Sequence, residues 1–151
     1  MQEATLSTRQ PGGLAVDSLL TFTLPGPLIP AVFAFFFHLS REILKDVEDI
    51  EGDRFVGVKT FPQIVGKSKA VLAALGVFFV MAVLTFIPVF AGWFGLAYEI
   101  LTIYVIDLPL LLLLIFIWGN PSPRMLKIGS MALKAGMLLG IMALIMALQK
   151  Y

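Results

Sequence analysis

The chain alternates long apolar runs with short polar breaks. Residues 1–13, MQEATLSTRQPGG, are polar and close on Pro11-Gly12-Gly13. Residues 14–24 are apolar but interrupted by Asp17, and this stretch is shorter than the ~20 residues that cross a bilayer. Pro25-Gly26-Pro27 marks a turn. Apolar character resumes from Leu28 to Leu39, and a helix is expected to continue through Asp53 before Gly52, Gly57 and Thr60-Phe61-Pro62 turn the chain into a loop. Three spanning helices are then predicted at 70–90, 98–118 and 128–148, separated by AGWFG (91–95) and GNPSPR (119–124). Trp93, Tyr98 and Trp118 fall at predicted helix ends, where amphipathic rings favour the headgroup layer.

Composition turns this pattern into a class. Hydrophobic residues make up 59% of the 151 and charged residues 14%, with a mean hydropathy of +0.95. Soluble domains carry about 25% charge. No Asp, Glu, Lys, Arg or His occurs from Ala70 to Ala97. The expected fold is all-α: a polytopic transmembrane helix bundle of four to five helices, with 1–13 a polar leader and 14–151 embedded in the membrane. The leader carries Glu3 and lacks the form of a secretory signal. The net charge of +1 comes from basic residues lying beside acidic ones, so no nucleic-acid surface is expected. The absence of cysteine excludes disulfides and thiolate chemistry. Arg41, Lys45, Arg54, Lys59, Lys67 and Lys69 surround the acidic loop, Arg124 and Lys127 follow in the 119–127 loop, and the 91–95 turn has no positive charge. Basic loops stay inside, which predicts a plasma-membrane protein with its acidic loop in the cytoplasm.

Six of the ten acidic residues crowd into 42–53. On a helix, Glu42, Asp46, Asp49 and Asp53 share an arc of about 60°, and Asp46 and Asp53 lie roughly 10 Å apart along it. Glu48 points elsewhere and is spaced to pair with Lys45. A row of carboxylates suits a hard divalent cation, and Mg²⁺ binds through one or two carboxylates plus phosphate oxygens. Arg41 and Lys45 flank the row and could meet phosphate. The spacing alone fits a solvated interfacial helix equally well. A calcium loop does not fit, because Ile50, Glu51 and Gly52 follow Asp49.

The segment REILKDVEDIEGDRFVGVKTFPQIVG resembles the second aspartate-rich motif of the UbiA superfamily of intramembrane prenyltransferases. Arg41, Glu42, Lys45, Asp46, Asp49, Gly52, Asp53, Gly57, Lys59, Thr60, Pro62 and Gly66 match in one register. Its form is most similar to the digeranylgeranylglyceryl-phosphate synthase branch, and the terminal ALKAGMLLGIMAL adds a weaker likeness. The resemblance implies a Mg²⁺-dependent transfer of a prenyl group from a polyprenyl diphosphate to a lipid or aromatic acceptor. Asp46, Asp49 and Asp53 would hold the metal and be catalytic, while Arg41, Lys45 and Lys59 would bind substrate. The family has two such motifs and about nine helices. This chain shows one motif and about half the bundle, with 14–24 as the stump of a preceding helix. A C-terminal half is therefore expected, incapable of transfer by itself, with a missing N-terminal half as a partner. The competing readings are a non-catalytic membrane scaffold and a cation channel whose acids gather ions at its mouth.

Four further features stand beside the motif. His38 could serve as a base, but a packed, hydrogen-bonded histidine is the expectation. Asp107 lies mid-span before Pro109, where a carbonyl freed by the proline or a functional role explains it equally. Lys134 is expected to snorkel to the interface, with contact to an acceptor phosphate as the other reading. Phe33, Phe35–Phe37, Phe78 and Phe79 could line an isoprenoid channel, with ordinary lipid-facing packing as the default.

Overall fold

The computed structural model describes residues 28–50, 57 and 59–148, with side chains described to Met146. The leader, the 14–24 stretch, Glu51, Asp53 and Arg54 lie outside the described residues. Among the described residues every element is helical. In order these are α1 (Leu28–Glu48), α2 (Phe61–Val65), α3 (Lys67–Phe90), α4 (Leu96–Glu99), a π-helical stretch (Ile100–Asp107), α5 (Leu108–Gly119) and α6 (Pro123–Leu148).

Helix α1 buries Phe37, Ser40, Leu44 and Val47, a three- and four-residue spacing that draws one stripe along it. Its last residue is Glu48, and Asp49 enters a bend. Even so, the Asp49 N–H still donates to the Lys45 carbonyl at 2.9 Å, so helical register carries through Asp49. The predicted continuation to Asp53 can be followed no further, because 51–56 lie outside the described residues. Short helix α2 was not predicted; Pro62 sits in its first turn, where a missing N–H is harmless. Gly66 then turns the chain into α3 with φ +90°, a left-handed conformation that glycine adopts without steric cost.

Three helices, 67–90, 96–119 and 123–146, are long and apolar enough to cross a membrane. The middle one runs through α4, the π stretch and α5 without a break. The Leu108 N–H reaches back five residues to the Ile103 carbonyl. Pro109 has no N–H, so the return from π to α spacing falls where a backbone bond is already missing. Helix α6 begins five residues before the predicted start. Pro123 occupies its first position, and the Ser122 hydroxyl accepts from the Met125 N–H at 3.4 Å.

Helix α1 packs between α3 and α6, antiparallel to both. The Ser40 hydroxyl, fully buried, donates to the Ala74 carbonyl at 2.9 Å, with Ala70 and Ala74 keeping that face of α3 small. Water-driven burial is weak between helices in lipid, so close contact and interhelical hydrogen bonds carry the association. Ser40→Ala should lower stability in detergent by about 1 kcal/mol; an unchanged unfolding midpoint would show that the bond contributes nothing. On α6, the backbone at Gly129 lies against Ile117 and Leu44, and at Gly136 against Leu110 and Phe37. Phe78, with no exposed surface, meets Phe37 edge-on at 5.4 Å between ring centres. Outward residues such as Phe79, Ile87, Leu112, Phe116 and Met142 remain exposed, as hydrocarbon solvent requires. Phe78 is thus core and Phe79 is outward.

Candidate metal and phosphate site

The chemistry gathers at the end of α1. With Glu42 as the origin, Asp46 and Asp49 fall within about 40° of it, while the buried stripe Phe37–Ser40–Leu44–Val47 lies about 140–220° away. The acidic row therefore faces away from the core built by the described helices. Asp49 is exposed and Asp46 half-buried. Between the row and the α6 side of the helix come Lys45, at about 300°, and then Arg41 and Glu48, at about 240–260°. Lys45 is exposed; Arg41 is partly buried and ion-paired through its guanidinium to Glu42. The core fixes this order, since rotating α1 to bury the acids would expel Leu44 and Val47.

The arrangement brings together Arg41, Glu42, Lys45, Asp46 and Asp49 on adjoining strips of a single helix. Lys59 is exposed just before α2, and Asp53 lies outside the described residues. Among the described residues no three acidic, histidine or cysteine side chains converge as a metal cage. Two exposed-side carboxylates, i and i+3, nevertheless match the donor set of Mg²⁺, which keeps most of its shell as water and phosphate oxygens.

Two expectations are corrected, and a third residue is placed. Glu48 does not pair with Lys45; it accepts from the Ser130 hydroxyl of α6 at 3.0 Å, because its flank of α1 faces that helix. His38 is exposed, not packed, since it lies off the buried stripe. Asp107 faces the bundle interior, as intramembrane acids usually do. It is 3% exposed, beside a cavity of about 40 Å³ that Thr85, Tyr98 and Thr102 also line, and both its carboxyl oxygens lack a hydrogen-bond partner among the described residues. Ser130 was missed by the sequence reading. It lies three residues past Lys127 on a helix of small and apolar residues, and only the packing of α6 on α1 distinguishes it from any other serine.

A largely apolar, open groove with two basic residues lies one strip away from the acids. Arg41, Ser130, Met131, Lys134, Ala135 and Leu138 line a cavity of about 340 Å³ between α1 and α6. The Arg41 Nε is buried within α1 and has no hydrogen-bond partner among the described residues.

Residues 11–127 match the UbiA prenyltransferase family. The chain is 38% identical over 138 residues to digeranylgeranylglyceryl phosphate synthase of Thermococcus gammatolerans, covering 90% of this chain and 46% of that protein. The synthase of the same name from Haloquadratum walsbyi is 31% identical over 135 residues, covering 89% and 44%. That from Pyrococcus furiosus is 42% identical over 78 residues, covering 52% and 27%. The chain thus spans less than half the length of each of these relatives. A solved structure of a digeranylgeranylglyceryl phosphate synthase superimposes with a TM-score of 0.72 at 28% identity, over 81% of this chain and 44% of that one. An aspartate-bearing helix end, three membrane-spanning helices and a match over most of its length place this chain in the UbiA prenyltransferase family.

Proposed function

We propose that these helices form one wall of the site at which a prenyl group passes from a polyprenyl diphosphate to the hydroxyl of geranylgeranylglyceryl phosphate, an acceptor that the relatives' name implies. The observation that carries this reading is the order of strips on α1: core, then Arg41, then Lys45, then a carboxylate row facing away from the core. Asp46 and Asp49, with Asp53 as the expected third ligand, would hold Mg²⁺. Bound there, the ion supplies the charge that neutralises the diphosphate as it departs. Lys45 and Lys59 hold diphosphate oxygens beside the metal, and Arg41 fixes the neighbouring flank. In the transfer, the allylic C–O bond breaks with its electron pair going to the diphosphate. The acceptor oxygen bonds the resulting carbon, and the hydroxyl proton leaves with the diphosphate. Polar chemistry stays at one end of the bundle, while the prenyl chain lies along apolar helix surface. The basic residues at that end support a cytoplasmic, inner-leaflet orientation in the plasma membrane.

The test is binding of a non-hydrolysable prenyl diphosphate analogue to the chain in detergent or nanodiscs. Binding is expected to require Mg²⁺, and Asp49→Asn should weaken it at least about 10-fold, the scale of one lost charge-assisted ligand. Binding that survives both EDTA and Asp49→Asn would overturn the assignment.

A further inference from the structure

Arg41 and Lys134 face one cavity at matched depth. Each lies seven residues from the polar end of its helix, counted from Glu48 in α1 and from Lys127 in α6, which is about 10 Å along each axis. A cation this far along a membrane helix normally has a counter-charge or marks a substrate path. The nearby carboxylates are engaged: Glu42 holds Arg41, and Glu48 accepts from Ser130. Among the described residues no acid pairs with Lys134, and one edge of Arg41 keeps a buried, unused N–H. The cavity therefore presents the Lys134 ammonium, which no acid pairs among the described residues, beside the Arg41 guanidinium, and an anion can meet both without a metal.

The rest of the lining tells what the anion is attached to. Met131, Ala135 and Leu138 share the cavity with Lys134. Met131 and Leu138 are well exposed, and Met142 and Ile145 continue the same outward strip along α6. A charged head at Lys134 would thus continue directly into an alkyl track.

We propose that Arg41 and Lys134 form a metal-independent site for the phosphate monoester head of a lipid, placing the acceptor one strip of α1 away from the Mg²⁺–diphosphate row. This inference rests on the functional reading above and adds the acceptor's anchoring residues to it. The two anion sites differ in kind. The carboxylate row takes a diphosphate only through a cation, whereas the basic pair takes a monoester directly.

The experiment measures binding of a dialkylglyceryl phosphate to the chain in nanodiscs, with dialkylglycerol and inorganic phosphate as the other arms. Binding of the lipid phosphate is expected to persist in EDTA and to weaken about 10-fold or more in Lys134→Gln, the scale of a lost hydrogen bond to a charged group. Lys134→Arg should retain it, and the alcohol and free phosphate should each bind at least 10-fold more weakly. Equal affinity in wild type and Lys134→Gln, or loss in EDTA, would overturn the proposal. Free phosphate binding as tightly as the lipid would overturn its lipid component. The Mg²⁺-dependent diphosphate arm, measured on the same preparations, keeps failure of this site distinct from failure of the functional reading. Lys134→Gln should leave that arm unchanged.

Discussion

Gly129→Leu is expected to destabilise the bundle by about 3 kcal/mol, the upper range for overfilling a packed contact. A β-carbon built at Gly129 would stand 2.5 Å from Ile117 Cδ1 and 2.8 Å from Leu44 Cδ2. Both neighbours are ends of flexible side chains, so alanine can be accommodated by small rotations at a cost of about 1 kcal/mol. Leucine has nowhere to go except by moving α6 off α1 and α5. Ser130 is the next residue, so its bond to Glu48 should be lost with the contact. The comparison is Gly76→Ala, where nothing lies within 4 Å of the new carbon. That change should be neutral or stabilising by up to about 1 kcal/mol through helix propensity. Unfolding midpoints of the three proteins in one detergent decide the matter. Equal midpoints for Gly129→Leu and wild type would mean that α6 does not rest on Leu44.

Asp107→Leu should do the reverse and raise stability by about 1–3 kcal/mol, the penalty of a buried polar group without a partner. Leucine has the same branching and number of side-chain heavy atoms as aspartate, and its larger methyl groups extend toward the adjoining small cavity, so no void is made. The two carboxyl oxygens removed are those without a hydrogen-bond partner among the described residues. Thr85 and Thr102, which line the same small cavity, already donate within their own helices, to the Met81 and Tyr98 carbonyls at 3.1 and 2.7 Å. Asp107→Asn keeps the polarity and should change stability little. A loss of stability in Asp107→Leu would show that the carboxyl has a structural partner. Diphosphate binding should be unaffected, since Asp107 lies well along its span from the acidic end of α1.

The bundle was legible because lipid imposes a coarse rule. A window without ionisable residues, such as 70–97, has few fates other than spanning, and the turns at 91–95 and 119–122 carry their own glycine and proline signals. Boundaries were less legible. Lys67 and Lys69 looked like loop residues but sit on the first turn of α3, because long basic side chains can leave a helix end for water. The π stretch was not legible either, since its eight residues read as ordinary apolar helix and only the missing N–H of Pro109 hints at a register change. At the site, periodicity was enough to set Glu42, Asp46 and Asp49 on one strip of α1. It could not say which strip faces α6, so Glu48 was assigned to Lys45 although Ser130 meets it across the helix pair. Partners more than 80 positions apart leave no mark in local spacing.

Ser130 carries one hydroxyl hydrogen but has two acceptors in reach, Glu48 Oε2 at 3.0 Å and the Lys127 carbonyl at 3.1 Å. A single proton can serve only one of them at a time, so Ser130 is a shared donor between α1 and the first turns of α6. Were Glu48 truncated, the hydroxyl would keep the Lys127 carbonyl as its acceptor and no buried donor would be stranded.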